Sequence, residues 1–310
     1  MNHPRRYFLD ISPDTASNPL APYAVLPIPY ERSVSYGTGT GGGPAAILKA
    51  SHEVEDFDEE LNVAVDVQAQ TLPDIKSDAL NDEQALNTIY AAAMPVMKAG
   101  RFLLSLGGEH TITAPLVKAA HNAYGPMSVL QLDAHLDLRN TYNNSPFSHA
   151  CVMRRVREYG VPTVHVGIRS ISIEDHLYVT DTLTPVFPAR DIIEMKDLKW
   201  ADNIVAKLSD RVYITVDIDV FDPSLVPGTG TPEPGGLDWY AVTALLRRVI
   251  ESREVVAADI VEVAPIQGTQ VSEFVAARLG VKILTYHRHQ NKLSSLRANQ
   301  PSSAVNNSCS

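Results

Sequence analysis

Carboxylate and imidazole side chains alternate with apolar ones in a short segment near the middle of the chain. Asp133, His135 and Asp137 are separated by Ala134 and Leu136. If this segment is extended, the three polar side chains point to one side, because successive side chains of a strand face opposite ways. Carboxylate and imidazole groups together are ligands of divalent transition metals. We therefore predict that these three polar residues bind metal.

Two further segments offer the same kinds of ligand. Asp217 and Asp219 belong to D-I-D-V-F-D, and His110 ends the sequence G-G-E-H at 107–110. Six such ligands exceed what one tetrahedral zinc ion takes and suit two octahedral ions that share carboxylates. Mostly oxygen ligands with two imidazoles favour Mn²⁺, with Zn²⁺, Co²⁺ and Fe²⁺ as alternatives. We predict two Mn²⁺ ions per chain.

The charge of this site and of the whole chain favours a small cation as substrate. Two divalent ions cancel the charge of four aspartates, and Glu262, inside an apolar run, adds a negative charge if it is ionised. A guanidinium cation fits such a site. The formal net charge of the chain is -10, which makes nucleic acid and anionic membrane surfaces poor partners.

The elements that must position these residues are apolar runs rich in β-branched residues. Strands are predicted at 23–28, 102–106, 128–132, 163–168, 212–216 and 255–263, and helices at 81–98, 111–123, 149–159, 197–208, 238–252 and 269–284. This alternation predicts one α/β domain with helices on both faces of a parallel sheet. Ligands bind beyond the carboxyl ends of such strands, where the polar segments lie.

The remaining features set the expected context. Cys151 and Cys309 form no disulfide framework, and no run has the length of a signal peptide or membrane span, so we expect a cytoplasmic protein. We expect the catalytic domain over 1–289 and a polar, disordered tail over 290–310. Asp222 precedes a proline and is predicted to form a turn rather than to bind metal.

The polar segments resemble the metal-binding signatures of the ureohydrolase family, which includes arginases and agmatinases. The matching segments are G-G-E-H at 107–110, D-A-H-L-D at 133–137 and the run from D-I-D to G-G-L at 217–237. S-Y-G-T-G-T-G-G-G-P-A-A-I at 35–47 and D-I-V-E-V-A-P at 259–265 are also similar to family segments. The resemblance implies a three-layer α/β/α fold, a di-manganese centre, hydrolysis of a guanidino group to urea and an amine, and a homo-oligomer, either a trimer or a hexamer.

The resemblance also implies a role for each site residue. His110 and Asp137 correspond to terminal ligands of one metal, and His135 and Asp219 to those of the other. Asp133 and Asp217 correspond to the bridging ligands. The two residues that correspond to substrate-binding and catalytic groups are Glu262, which grips the guanidinium, and His149, the acid/base histidine. Asp137 can in addition orient the attacking nucleophile.

The likeness is closer to agmatinases than to arginases. Residues 139–153 depart from the arginase loop that reads the α-amino and α-carboxylate groups of arginine, and T-P-E-P-G-G at 231–236 resembles the agmatinase form. We predict agmatine as substrate, with putrescine and urea as products. Ala150 and Cys151 replace the Gly-Thr pair of many agmatinases, so the chain length of the substrate stays open.

Other functions compete with this prediction. Guanidinobutyrate or guanidinopropionate could be the substrate if Arg154, Arg155 or Arg157 binds a carboxylate, although a helix surface or a subunit contact is the favoured role for these arginines. Arginine is a less favoured substrate. A metal-dependent deacetylase on a related fold would need only one zinc ion, and a regulatory relative without activity would need a defect that the residues do not reveal.

Overall fold

An eight-stranded sheet, in which every neighbouring pair of strands is parallel, forms the centre of the molecule. A computed structural model describes residues 7–77, 79–195 and 197–298. The strands are β1 Tyr23–Ile28, β2 Phe57–Asp58, β3 Val63–Ala64, β4 Ala69–Thr71, β5 Phe102–Gly107, β6 Ser128–Leu132, β7 Thr163–Ile168, β8 Val186–Pro188, β9 Arg211–Asp217 and β10 Glu254–Val261. The order in the sheet is β4-β1-β5-β10-β9-β6-β7-β8, and β2 pairs with β3 as a separate antiparallel hairpin.

Helices cover both faces of the sheet. They are α1 Pro13–Ala16, α2 Gly43–Ser51, α3 Asp82–Lys98, α4 Thr113–Tyr124, α5 Val152–Glu158, α6 Ile173–Thr182, α7 Ala189–Glu194, α8 Lys199–Val205, α9 Trp239–Ser252 and α10 Val271–Ala298. One apolar core joins the sheet to α2, α7, α8, α9 and α10. A second core joins the opposite face to α3, α4 and α5, with α6 packed at its border. The predicted three-layer α/β/α fold with a mostly parallel sheet is confirmed.

The central strands are apolar on both sides because both sides are covered by helices. Every residue of β1, β5, β6 and β7 is buried, and so is every residue of β9 and β10 after the first. Continuous apolar runs of this kind are typical of parallel strands between two helical layers. The same runs are the predicted strands, and their bounds agree with the structure to within two residues at each end.

The structure differs from the predicted elements mainly at the edges and at the C-terminus. The edge strands β4 and β8 and the helices α6 and α7 were not among the predicted elements. The last helix continues to Ala298, so that the first nine residues of the predicted tail, 290–298, are helical. The rest of that tail, including Cys309, lies outside the described residues. Within the described part of the chain, no helix is both long enough and apolar enough to cross a membrane.

Four adjacent strands position the predicted site. β5, β10, β9 and β6 are neighbours at the middle of the sheet, and all four run in the same direction. Their carboxyl ends therefore meet at one edge, where ligands bind in open parallel sheets. The segment around His110 follows β5, and Asp133–Asp137 follows β6. Asp217 ends β9, Asp219 lies in the turn directly after it, and Glu262 directly follows β10.

Candidate active site

The structure brings the six predicted metal ligands together. His110, Asp133 and Asp137 form one group whose ligand atoms lie within 4.8 Å of one another, and Asp133, His135 and Asp219 form a second such group. Asp133 belongs to both groups. Its Oδ2 lies 3.2 Å from Nδ1 of His110, whereas its Oδ1 lies 3.5 Å from Nδ1 of His135. This placement suits a carboxylate shared between two ions.

The other carboxylates surround the same two imidazoles. Nδ1 of His110 lies 3.1 Å from an oxygen of Asp137 and 3.5 Å from one of Asp217. Nδ1 of His135 lies 3.0 Å from an oxygen of Asp219. Both imidazoles therefore direct the same nitrogen toward the carboxylates, which leaves Nε2 of each ring for other contacts.

The backbone achieves this convergence without the extended segment that the alternation suggested. The chain bends at Asp133 and Ala134, and Asp137 has a left-handed conformation with φ of 53°. Glu262 is also left-handed, with φ of 65°. Such a conformation costs a non-glycine residue about 1–3 kcal/mol. The surrounding structure holds both residues in place, since the carbonyl of Asp137 accepts hydrogen bonds from Met153 and Arg154 and the N–H of Glu262 donates to Gly108 at 2.7 Å.

Gly108 has no space for a side chain. A Cβ atom at this position would lie 2.1 Å from the carbonyl oxygen of Tyr30. The N–H of Gly108 donates to Ile28 and that of the next residue, Glu109, donates to Tyr30, both at 2.8 Å. The second glycine of G-G-E-H thus allows the turn after β5 to pack against the end of β1, and this packing presents His110 to the cluster.

The pKa values of four of the cluster residues are shifted toward the protonated forms. Burial lowers the pKa of His110, but hydrogen bonds with three aspartates outweigh burial and hold that pKa well above its ordinary value. Burial also opposes protonation of His135, yet Asp219 and Asp133 raise its pKa to about 12. Burial and the charge of Asp133 raise the pKa of Asp137 to about 6, and burial with Asp219 and Asp133 raises that of Asp217 well above its usual range. Buried carboxylates that are held together in this way take up either protons or metal cations.

A buried hydrogen-bond chain orients His110 for metal binding. Thr215 Oγ1 donates to Asp259 Oδ1 at 2.5 Å, so its lone pair is free to accept from Nε2 of His110 at 2.8 Å. Asp259 is fully buried and also accepts from the hydroxyls of Tyr213 and Thr113 at 2.7 and 2.9 Å. Nε2 therefore carries a proton toward Thr215, and the buried Nδ1 faces the oxygens of Asp133, Asp137 and Asp217 at 3.1–3.5 Å. An imidazole with this second contact is prepared to bind a metal through Nδ1.

A cavity of about 260 Å³ opens beside the cluster, and Glu262 and His149 both line it. Glu262 is 8% exposed, and its Oε1 accepts a hydrogen bond from the N–H of His110 at 2.6 Å. Burial, followed by the nearby charge of Glu109, raises the pKa of Glu262 well above its ordinary value. A buried acid in such a setting gains stability when a cation enters the cavity.

His149 lies between two serines that the sequence analysis did not single out. Its Nδ1 is 3.2 Å from Ser33 Oγ and its Nε2 is 2.9 Å from Ser35 Oγ. Burial lowers the pKa of His149, although the charge of Glu109 acts in the opposite direction. The signal in the sequence was weak: Ser35 begins the family-like segment at 35–47 and Ser33 lies two residues before it, and hydroxyl groups at such spacing are common in turns.

The structure gives the three arginines of α5 other partners. The guanidinium of Arg154 lies 3.9 Å from the ring centre of Tyr178, and Arg157 donates to the hydroxyl of Tyr178 at 3.0 Å. Arg155 pairs with Glu158 at 2.9 Å. These contacts place the three side chains on the helix surface, as favoured from the sequence.

Cys151 and Asp222 lie in contrasting environments. Cys151 is fully buried, and burial raises its thiol pKa to about 11. Asp222 is half-buried and forms the turn predicted from the sequence, in which it accepts hydrogen bonds from Ser224, Gly235 and Gly236. These bonds lower the pKa of Asp222 to about 2.

Several known proteins are similar to this chain in sequence and in fold. The model of the Arginase family matches residues 21–285. The N(1)-aminopropylagmatine ureohydrolase of Synechocystis sp. is 38% identical over 274 residues, which cover 86% of this chain and 89% of that protein. The agmatinase of Pyrococcus horikoshii is 34% identical over 269 residues, with 84% and 89% covered. The structure of proclavaminate amidino hydrolase from Streptomyces clavuligerus has 27% identity and a TM-score of 0.83, over 92% of this chain and 96% of that one. The chain therefore belongs to the arginase family and is an enzyme of the ureohydrolase type.

Proposed function

We propose that this enzyme hydrolyses the guanidino group of a small cationic compound to urea and an amine, with two divalent metal ions. The observation that carries the proposal is the placement of Glu262, a buried acid, in the wall of the cavity beside the His and Asp cluster. A guanidinium that pairs with Glu262 would present its carbon to the cluster. The two overlapping ligand groups offer more than the single zinc site of a deacetylase needs.

The donor set supports Mn²⁺ as the metal. His110 and Asp137 would hold one ion, His135 and Asp219 the other, and Asp133 and Asp217 would bridge them. Two imidazoles and four carboxylates are hard and borderline ligands of the kind that Mn²⁺ accepts. Bound ions would supply a water-derived nucleophile near neutral pH.

The residues around the cavity have separate roles in this reaction. Glu262 binds and orients the guanidinium through charge-assisted hydrogen bonds. Asp137, as a carboxylate at the edge of both cluster and cavity, orients the attacking nucleophile. His149 passes a proton to the departing amine, because an amine leaves readily only when it is protonated. Its lowered pKa makes the imidazolium a stronger acid for this step.

Agmatine is the substrate that the cavity supports best. Asp175, at the start of α6, lies in the cavity wall and is 4% exposed. Its Oδ2 accepts from Ser172 at 2.6 Å, while its Oδ1 is buried without a hydrogen-bond partner among the described residues. Glu262 and Asp175 line the same cavity. An aliphatic guanidine in it would have its guanidinium at Glu262 and a terminal ammonium near Asp175. The product amine of agmatine would be putrescine.

Two alternatives follow from specific observations. Two relatives with 38% and 39% identity are N(1)-aminopropylagmatine ureohydrolases, which favours a longer amine as a second candidate. Arg139 also lines the cavity and stacks over Tyr142 with 4.7 Å between the guanidinium carbon and the ring centre. This arginine, rather than those of α5, would bind the carboxylate of guanidinobutyrate or guanidinopropionate.

Urea release from a panel of guanidino compounds tests the assignment. With Mn²⁺ present, we expect kcat/KM for agmatine to exceed that for arginine by at least about a hundredfold, since the carboxylate of arginine enters an acidic site. N(1)-aminopropylagmatine, guanidinobutyrate and guanidinopropionate complete the panel. Equal values of kcat/KM for agmatine and arginine would overturn the substrate assignment. A higher kcat/KM for guanidinobutyrate would indicate instead that Arg139 binds the carboxylate of the substrate.

A substrate without the terminal amine isolates the role of Asp175. Asp175→Asn should raise KM for agmatine about tenfold, the loss of one charge-assisted contact. The same variant should leave KM for butylguanidine within about twofold of wild type, because this compound has no ammonium to lose. The trimeric or hexameric assembly stays a prediction from the resemblance, and the cytoplasmic location stays a prediction from the sequence.

A further inference from the structure

Hydroxyl groups contact both ring nitrogens of His149. Ser33 Oγ lies 3.2 Å from Nδ1 and also accepts the backbone N–H of His149 at 2.9 Å. Ser35 Oγ lies 2.9 Å from Nε2. Both serines belong to the segment after β1, whereas His149 begins the short turn before α5. Two separate parts of the chain therefore meet at this imidazole.

A buried carboxylate, Glu109, anchors the same segment. Its side chain is fully buried, and its Oε2 accepts the backbone N–H groups of Arg32 and Ser33 at 2.6 and 2.7 Å. Its Oε1 accepts the hydroxyls of Ser33 and Thr111 at 2.8 and 2.6 Å. With four donors directed at it, the carboxylate acts as an acceptor through both oxygens. The metal cluster and the proposed guanidinium contact leave Glu109 without an assigned role.

The hydroxyl hydrogen of Ser33 determines which ring nitrogen of His149 is protonated. Ser33 has one hydroxyl hydrogen and donates it to Glu109, so the oxygen can act only as an acceptor toward His149. Nδ1 of His149 must then carry a proton. In the neutral ring this leaves the lone pair on Nε2, where the hydroxyl of Ser35 can donate to it. Ser35 also lines the cavity, so Nε2 is the nitrogen at the substrate side.

We propose that Glu109 and Ser33 are positioning residues that fix the tautomer and orientation of His149, with Nε2 as the atom that exchanges the proton. This inference rests on the proposed acid/base role of His149. A hydroxyl between a carboxylate and an imidazole can fix the ring as a direct carboxylate contact does, because it transmits the acceptor character of the acid. Ser35 then holds Nε2 at the cavity wall until substrate arrives.

The test is a double-variant cycle with urea release by the Mn²⁺-loaded enzyme. Ser33→Ala should lower kcat about tenfold, at the lower end of the loss for an acid/base group, and change KM less than twofold. In the His149→Ala background the same change should have no further effect on kcat, because the ring that it positions is absent. Ser33→Thr keeps the hydroxyl and should retain most of the activity.

A matched control and an independent measurement complete the experiment. Ser145→Ala removes a hydroxyl from the loop that precedes His149, where Ser145 bonds the N–H of Phe147, and it should leave kcat unchanged. Equal losses from Ser33→Ala in the two backgrounds would overturn the proposal. A crystal structure of Ser33→Ala shows the orientation of the His149 ring in the absence of substrate. We expect a rotated imidazole or one with several orientations. An unchanged ring would also overturn the proposal, whereas a wild-type enzyme that releases no urea would refute the proposed function alone.

Discussion

At the scale of single residues, the geometry of the His and Asp cluster depends on side chains outside it. Asp259 contacts Thr215, and Thr215 contacts Nε2 of His110, so the buried acid acts on the predicted ligand through a hydroxyl. Second contacts of this kind keep the ligating nitrogen deprotonated and the ring in place.

Asp259→Asn should therefore weaken metal binding. The amide keeps the shape of the side chain but loses the charge that makes Thr215 an acceptor, and we expect the affinity for Mn²⁺ to fall by about 10- to 100-fold. A titration of metal-free protein followed by calorimetry measures this change. Asp222→Asn, an equivalent substitution in an exposed turn, serves as the control and should bind metal as the wild type does. Equal affinities for the two variants would contradict the role of Asp259.

Glu262 and His149 should be separable by kinetics. Glu262→Gln removes a charge-assisted contact, so both KM and kcat should suffer and kcat/KM should fall by about 10- to 100-fold. His149→Ala should lose mainly turnover, by about 10²- to 10⁴-fold, with partial rescue by added imidazole. Elemental analysis should find the same metal content in both variants. Near-normal turnover by His149→Ala would show that the proton reaches the amine by another route.

The residues of the cluster could be named from the sequence, whereas the residues that contact them could not. Asp and His side chains directly after apolar runs are rare enough to stand out, and these are the six residues that the structure brings together. Glu262 lies inside an apolar run, and its role was predicted from the family resemblance. Ser33, Glu109, Thr215 and Asp259 could not be named, because hydroxyls and single acids at such positions also serve turns and helix ends. Only the pairing of distant segments reveals what they contact.

At the scale of elements, long apolar runs were predictable and short edges were not. The central strands are buried on both faces, so composition alone identifies them. The edge strands β4 and β8 have three residues each, too few for a pattern. The prediction that Asp133, His135 and Asp137 converge assumed an extended segment after β6, because their alternation with apolar residues suits one. The left-handed backbone at Asp137, which redirects its side chain, leaves no such mark in the sequence.

The hairpin of β2 and β3 is held to α10 by a buried lysine. Lys282 is 1% exposed, and its Nζ lies 3.0 Å from Asp58, which is equally buried, and 3.0 Å from Glu59. Removal of one partner of a buried ion pair leaves the other charge uncompensated. The hairpin and the last helix should therefore lose stability together when this lysine is replaced.

Lys282→Met should lower the free energy of unfolding by about 3–5 kcal/mol. Arg278→Met removes a more exposed partner of Glu59, at 2.7 Å, and should cost less than about 1 kcal/mol. Thermal unfolding of the two variants under identical conditions compares them. Similar shifts in Tm would show that the buried lysine contributes no more than a surface contact.

At the scale of the whole molecule, sheet topology assembles the site. The residues of the His and Asp cluster come from segments as much as about a hundred residues apart, from His110 to Asp219, yet β5, β10, β9 and β6 are neighbours in the sheet. The net charge of -10 adds a long-range attraction for cations such as a guanidino compound. The alternation of strands and helices predicted that the segments share one edge, but the order of the strands could be known only from the structure.

Reconstitution of metal-free enzyme measures the central claim most directly. Mn²⁺ is added stepwise to a known concentration of protein, and urea release from agmatine is followed at each step. Activity should be near zero without metal and should rise to a plateau at two ions per chain, as expected when two ions act together. Asp133→Asn, which alters the carboxylate between the two imidazoles, should bind fewer ions and stay inactive. Full activity with one ion per chain, or without any, would contradict the binuclear account.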